Sequence, residues 1–427
     1  MKHANDVITV AAIVCVFGFL ILATLGHLDV GNIAMLAAAS IIAGGFFVVA
    51  ACIIYSDRLS FVRRYRRAFE NTEEADGFIA AYKATWKAKI ALFASISVII
   101  VMLSLITLYA KQNWVDFGGM IDVIIGHLQG MEYPKGDPRK YADILICDDR
   151  LPRVICIIAG GASLAVGGCV MQSVVKNPLA DPYTTGISSG AVFGVAIAMI
   201  IGFSINNGGH FGVIINAFVF SLVPTAVLIL ISKMSNGSVV TVVLVGTAIS
   251  YIFASLTTVI MIGADETQMD QVFKWQVGSL EGMTWTGATI MTAFFVVCGG
   301  TLALMSGKLN VMSAGDSEAR SLGMNSDRFR AMCLVLISLM TAAVISFTGI
   351  IGFLGLLCPH IVRMIVGSDN KAVIPTAAAL GAAMLLFADL IARNIATDVM
   401  PVGVVMSFIG GPLFLILLLR SKRGAWY

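Results

Sequence analysis

The sequence predicts an all-α, polytopic membrane protein with about twelve transmembrane helices. Three observations carry that prediction. First, 58% of the 427 residues are hydrophobic and 12% are charged, with mean hydropathy +0.91. Soluble domains run near roughly 45–50% and about 25%. A soluble fold of this size exposes too much surface to hide such an apolar excess, which excludes a water-soluble enzyme and a disordered chain. Second, the apolar residues gather in runs of ~20, the length a helix needs to cross a bilayer that offers backbone groups no water. Third, 42 glycines and ten prolines are tolerated in membrane helices, because neighbouring helices satisfy the freed backbone groups. The net charge of +3 is too small for a nucleic-acid binder, which needs a concentrated basic face.

The predicted spans are 7–28, 33–55, 88–110, 151–172, 186–204, 211–232, 239–262, 285–306, 329–348, 350–366, 373–393 and 402–419. The first is too long for the apolar core of a signal peptide. The pair 329–348 and 350–366 reads as one run broken near Thr348-Gly349, and its second piece is short. Positive charge sets the topology. Arg58, Arg63, Arg64, Arg66 and Arg67 lie in segment 56–87, and Arg420, Lys422 and Arg423 lie in the tail. Both are expected on the cytoplasmic side, and an even number of spans agrees. Loop 111–149 then falls outside, with seven acids against four bases.

Two pieces outside the spans have helical patterning. In 114–128, Trp114, Phe117, Met120, Ile121, Ile124, Ile125 and Leu128 recur at helical spacing, which predicts an amphipathic helix at the outer interface. In 58–69, Phe61, Tyr65 and Phe69 line a basic helix. It reads as an anchor on anionic lipid or as a regulatory, partner-binding helix; the charge alone explains the anchor.

The sequence carries no phosphate loop: Ser306-Gly307-Lys308 lacks the preceding glycine and the following hydroxyl. No HExxH and no Ser/His/Asp order is present, so the chain is not expected to be an enzyme. The eight cysteines, Cys15, Cys52, Cys147, Cys156, Cys169, Cys298, Cys333 and Cys358, show no CxxC. They read as small buried apolar side chains, and neither a disulfide nor a metal role is expected.

Four stretches could carry function. Arg150-Leu151-Pro152-Arg153 sits at the outer end of a span. It can snorkel to headgroups, or offer planar guanidinium forks to carboxylates of an extracellular partner. The run from Gln172 to Tyr183, with Pro178 and Pro182, must be an inner-face loop. Gly186, Gly190 and Gly194 follow it at the spacing of close helix packing. Gly315-Asp316-Ser317-Glu318-Ala319-Arg320-Ser321-Leu322-Gly323 reads as a glycine-bracketed polar helix on the cytoplasmic side, with Ala319 and Leu322 exposed for contact. It is an ordinary loop, or a helix that passes a soluble subunit's motion into the membrane. Within Gly352–Arg363, Pro359, His360 and Arg363 share one short span. A satisfied structural histidine is favoured there, since no second His or Cys sits at ligand spacing. Finally, Asp389 and Arg393 form an i,i+4 pair near the outer face, and Arg393 can also join Arg150 and Arg153.

These stretches occur together and in order. The pieces RLPR, NPLADPYTTGISSGA, GDSEARSLGMN, GFLGLLCPHIVRMIVGSDN and MPVGVVMSFIGGPLFLILL resemble the FecCD family, the permeases of type II ABC importers for iron-siderophores, haem and cobalamin. The likeness covers about 88–420. It implies a ten-helix core at 88–427, preceded by an extra two-helix unit at 1–87 that departs from the family pattern. It also implies a homodimer, two cytoplasmic ATPase subunits that carry ATP and magnesium, and an extracytoplasmic substrate-binding protein. No cofactor is expected on this chain. By the same resemblance Arg150, Arg153 and Arg393 face glutamates of the binding protein. Residues 315–323, with Gly315, Asp316, Glu318, Ala319, Arg320, Leu322 and Gly323, match the helices that sit on the ATPase. Asn177 and Leu179 match positions near a cytoplasmic gate.

The expected protein is therefore a multi-pass subunit of the inner (plasma) membrane, with both termini cytoplasmic, that imports an iron chelate (siderophore or haem). A cobalamin or corrinoid permease is the alternative within the class. A gradient-driven secondary transporter would need an ionisable relay at mid-membrane and inverted repeats, and neither is seen. A receptor or scaffold using 1–87 is a third reading.

Overall fold

The computed structural model describes residues 75–109, 115–205, 209–234, 239–395 and 400–421. The expected spans 7–28 and 33–55, and the basic helix 58–69, lie outside the described residues. All regular structure among the described residues is helical. In chain order the helices are α1 (Ala75–Tyr109), α2 (Phe117–Leu128), α3 (Pro138–Val175) and α4 (Ile187–Ile201). Next come α5 (Gly209–Met234), α6 (Val239–Ile262), α7 (Glu266–Gln276) and α8 (Trp285–Leu304). Then follow α9 (Ser306–Ala314), α10 (Asp316–Ser321), α11 (Ser326–Thr348), α12 (Leu354–Val366), α13 (Asn370–Ile395) and α14 (Val402–Ser421).

Every span expected between 88 and 419 is met by a helix. Among the described residues, seven helical stretches are long and apolar enough to cross a membrane; 187–201, 354–366 and 402–415 are apolar but shorter. The break expected near Thr348 is present. Gly349 (φ 68°) ends α11 and Phe353 (φ 68°) begins α12, both in left-handed backbone.

Helical structure extends beyond the expected spans: α1 begins at Ala75 rather than at 88, and α9 follows the span that ends at 306. Residues 138–149, read as loop, are helical and continuous with the span that follows. Asp137 caps the start by accepting from the Arg139 N–H at 2.9 Å, and Pro138 occupies the first turn, where its missing N–H costs nothing. A π-helical stretch, Ile144–Arg150, joins this extension to the apolar part. Helix α7 was not expected either. Its signal is a capping box, Asp265 with Gln268 three residues on, each bonded to the other's backbone N–H.

Helix α3 is the core of the molecule. It is buried along nearly its whole apolar length and packs on α13, α12, α11, α8 and α9. Its antiparallel pairing with α13 is pinned at three levels. Arg153 meets Asp389 at one end, and the Ser173 hydroxyl lies 3.2 Å from Asn370 Oδ1 at the other. Between them Gly161 and Gly381 bring the two backbones together; a Cβ on either would strike the other's carbonyl oxygen. Small residues permit this approach, and close packing supplies attraction that lipid cannot. The glycines at 190 and 194 do the same for α4 against α5, where a Cβ would meet the carbonyls of Phe220 and Asn216. Outward residues are apolar: Tyr251, Val259 and Ile262 on α6, and Ile90 and Val101 on α1, are all more than half exposed.

Candidate functional site

The sequence-predicted residues gather at the two ends of the buried, apolar part of α3, Leu151–Val175, about 35 Å apart by helical rise.

At the C-terminal end, α3 stops because Lys176 turns left-handed (φ 52°) and Pro178 cannot continue a helix. Asn177 Oδ1 accepts from the Leu179 N–H at 3.0 Å, an Asx turn. Asn177 is half-buried and Leu179 is exposed. Asp181 is buried and caps the turn Pro182–Thr185 by accepting from the Tyr183 N–H at 2.9 Å. Burial pushes its carboxyl up to about 6, against the lowering pull of that hydrogen bond. The Tyr183 hydroxyl donates to the Ile351 carbonyl at 3.0 Å, so this loop is fastened to the α11–α12 connection.

The left-handed turn has a second consequence. Lys176 Nζ reaches Asp316 Oδ1 at 2.9 Å. Asp316 opens α10 and is also held by Arg330 Nη2 of α11, at 2.8 and 2.9 Å from its two oxygens. One carboxylate thus ties the 176–186 loop, α10 and α11 together. Burial would raise the Asp316 pKa, but its bonds to Lys176 and Arg330 outweigh this and hold it below the ordinary carboxylate value. The Arg330 side chain is 2% exposed, so its charge depends on such partners.

Helix α10 follows the expected range, with one correction. Leu322 is 72% exposed, as expected, but Ala319 is fully buried. On a helix this short one face must rest on the bundle, and Ala319 supplies it, within the main apolar core. Glu318, Arg320 and Gly323 are exposed, and Gly315 is half-buried. Arg320 bonds Ser326 and Asp327 at 3.3 Å, closing α10 onto the start of α11. Sequence reading missed Arg363 as an organiser of this end. Its Nη2 donates to the Cys169 carbonyl, Ser173 Oγ and Asn370 Oδ1 at 3.0–3.2 Å, linking α12, α3 and α13. His360 is half-buried one turn earlier.

At the other end of α3, Arg150, Arg153 and Arg393 come within electrostatic reach of one another, with Asp149 and Asp389 beside them. The structure brings the expected cluster together but buries most of it. Arg150 is 3% and Arg153 5% exposed, because both lie well inside the extended α3 rather than at its tip. Arg150 Nη1 donates to the Leu108 carbonyl of α1 at 2.6 Å. Asp389 accepts from Arg153 Nη2 and Nε at 2.6 and 3.1 Å. Asp389 is thus shared: it bonds Arg153 across helices and acts electrostatically on Arg393 within its own helix. Arg393 is the half-buried member of the cluster.

The six described cysteines are buried and not bonded to one another; Cys15 and Cys52 lie outside the described residues.

Residues 98–420 match the FecCD transport family. A hemin transport system permease protein of Yersinia pestis is 35% identical over 276 residues, 64% of this chain and 83% of that protein. A cobalamin import system permease protein of Halobacterium salinarum is 34% identical over 281 residues, 65% of this chain and 74% of that protein. Among solved structures, an inward-facing metal-chelate type ABC transporter superposes with TM-score 0.67 at 26% identity, covering 77% of this chain and 99% of that one.

Proposed function

The chain belongs to the FecCD transport family, and from that premise we propose how its two polar ends divide the work of import. It is a membrane permease subunit of an ABC importer, a family whose permeases are not catalytic. ATP hydrolysis is assigned to separate cytoplasmic ATPase subunits that carry ATP and magnesium. We assign the chain a ten-helix core at 88–427 and an added two-helix unit at 1–87, with both termini cytoplasmic and two copies forming the translocation path. The cargo is an iron chelate, a siderophore or haem, brought by an extracytoplasmic binding protein; the hemin relative supports this. A corrinoid is the second reading, supported by the cobalamin relative.

The observation that carries the mechanism is the shared carboxylate of Asp316. A partner that grips the exposed Leu322 and moves α10 must drag Asp316, and with it Lys176 and the loop bearing Asn177 and Leu179. That loop is placed as the cytoplasmic gate. At the other end, Arg150, Arg153 and Arg393 are assigned to binding-protein docking. Arg393, the most accessible, would meet the partner's carboxylate, while buried Arg150 and Arg153 fix the positive potential behind it.

The test is reconstitution with the ATPase and binding protein in proteoliposomes. Leu322→Asp should leave ATP hydrolysis measurable and abolish chelate uptake. Asp316→Asn, which removes the carboxylate that Lys176 and Arg330 share and leaves Arg330 its longer contact with Asp327, should lower uptake per ATP at least about tenfold, as loss of a charged hydrogen bond worth roughly 1.5–3 kcal/mol implies. Normal uptake per ATP in both variants would remove α10 from the mechanism.

A further inference from the structure

Outside the transport machinery, three metal-ligating side chains from two helices converge. His127 lies in the last turn of α2, and Asp143 and Cys147 lie four residues apart in α3. The ligand atoms of the three all lie within 4.8 Å of one another. His127 Nδ1 is 2.8 Å from Asp143 Oδ1. We propose that His127, Asp143 and Cys147 form a binding site for a borderline divalent transition-metal ion, Zn(II) by preference, distinct from the transported cargo.

Several features build the site. The turn after α2 folds back through the Met131 N–H bond to the Gly126 carbonyl, 2.9 Å, which returns the chain toward α3. The π-helical stretch begins directly after Asp143 and contains Cys147; such widened turns recur at functional sites. The backbone at Cys147 is tied to α8, where its carbonyl accepts from Trp285 Nε1 at 3.1 Å. Cys147 is buried, Asp143 is 19% exposed and His127 39% exposed, so the soft ligand lies at the base and the imidazole at the mouth. The sequence reading gave Cys147 no metal role because Asp143, four residues before it, completes no linear metal motif and His127 stands on another helix.

The donor set selects the ion. Thiolate, imidazole and carboxylate together suit Zn(II) and Co(II); Mg(II) and Ca(II) prefer all-oxygen shells. Three protein ligands leave a fourth tetrahedral position, which water reaches from the exposed His127 side. Bond lengths of about 2.0–2.3 Å place tetrahedral ligands roughly 3.3–3.7 Å apart. The His127–Asp143 contact must therefore open by about half an ångström on loading, a small rotamer adjustment. Binding displaces the Cys147 thiol proton to solvent, so affinity rises with pH. Once loaded, the ion staples α2 to the base of α3, three residues before Arg150.

The experiment uses the full chain in detergent, stripped with chelator and titrated with CoCl2. One Co(II) per chain is expected, with thiolate-to-cobalt charge-transfer absorption in the near ultraviolet that ZnCl2 abolishes and MgCl2 or CaCl2 does not. Cys147→Ser should remove the band, while Cys333→Ser, buried elsewhere, keeps it. His127→Gln, at the exposed mouth, should weaken affinity at least about tenfold with an unchanged elution profile. Absence of the band in the unaltered chain, or its persistence in Cys147→Ser, overturns the proposal.

Discussion

Asp181 and Asp389 are buried carboxylates in opposite electrostatic situations. Asp181 has only a backbone N–H to offset burial, which moves its pKa from 3.8 to about 6. The folded state then binds a proton more tightly than the unfolded chain, so stability falls as pH rises from about 4 to about 6 and is flat above. The penalty at neutral pH is about 3 kcal/mol at most. Asp181→Asn keeps the acceptor for Tyr183 and carries no charge. Its thermal midpoint in detergent should exceed the parent's at pH 7.5, and the difference should vanish near pH 4. An equal difference at both pH values would assign the effect to packing. Asp389, by contrast, holds the buried Arg153. Removing it as Asp389→Ala strands that charge, at a cost of about 3–5 kcal/mol. Asp270→Ala, which breaks the exposed pair with Lys274, should leave the midpoint unmoved. The types of residue at these positions were legible in the sequence, but the pairings were not. Local spacing pointed Asp389 at Arg393, whose charge it does feel, but gave no sign of Arg153, 236 positions away, which it bonds.

At the scale of the element, the apolar runs identified helices well because lipid imposes one rule on each of them: pair the backbone internally. Where a helix leaves the apolar run, that rule is silent. The start of α3 at Pro138 is a matter of caps and proline, and the sequence carries both at Asp137-Pro138. The phase of α10 was not legible either, since six residues are too few to show which face is apolar, and Ala319 suits either side. Close approach is likewise written only as isolated glycines until a partner is known. The α3–α13 crossing makes this testable. Gly161→Leu must push the Gly381 carbonyl away and should cost about 3 kcal/mol by overpacking. Gly300→Ala, where nothing lies within 4 Å of the added Cβ, should be tolerated or slightly stabilising. Equal midpoints for the two variants would show that the crossing yields.

At the scale of the whole molecule, the central helix pair α3–α13 carries its charge only toward its ends. Between Val154 and Gln172 in α3, and between Ala372 and Ala388 in α13, no Asp, Glu, Lys, Arg or His occurs. An ion-driven relay through this pair has no stations, which fits an importer whose energy arrives from attached subunits. The long helices α3 and α13 instead connect two polar assemblies: Arg150, Arg153, Asp389 and Arg393 at one end, and Lys176, Asp316, Arg330 and Arg363 at the other. If one rigid pair transmits the state of one end to the other, the coupling must be reciprocal. The binding protein's Kd for the permease should change by some factor when a hydrolysis-deficient ATPase is locked on with ATP. The ATP-bound ATPase's Kd should change by the same factor when the binding protein is docked. Factors of 5–150 correspond to roughly 1–3 kcal/mol of coupling. Gly161→Leu, by loosening the α3–α13 contact, should shrink both factors together, whereas Arg393→Glu should weaken binding-protein docking and leave ATPase assembly intact. Two unequal factors, or coupling that survives Gly161→Leu undiminished, would mean that the ends communicate by a route other than this helix pair.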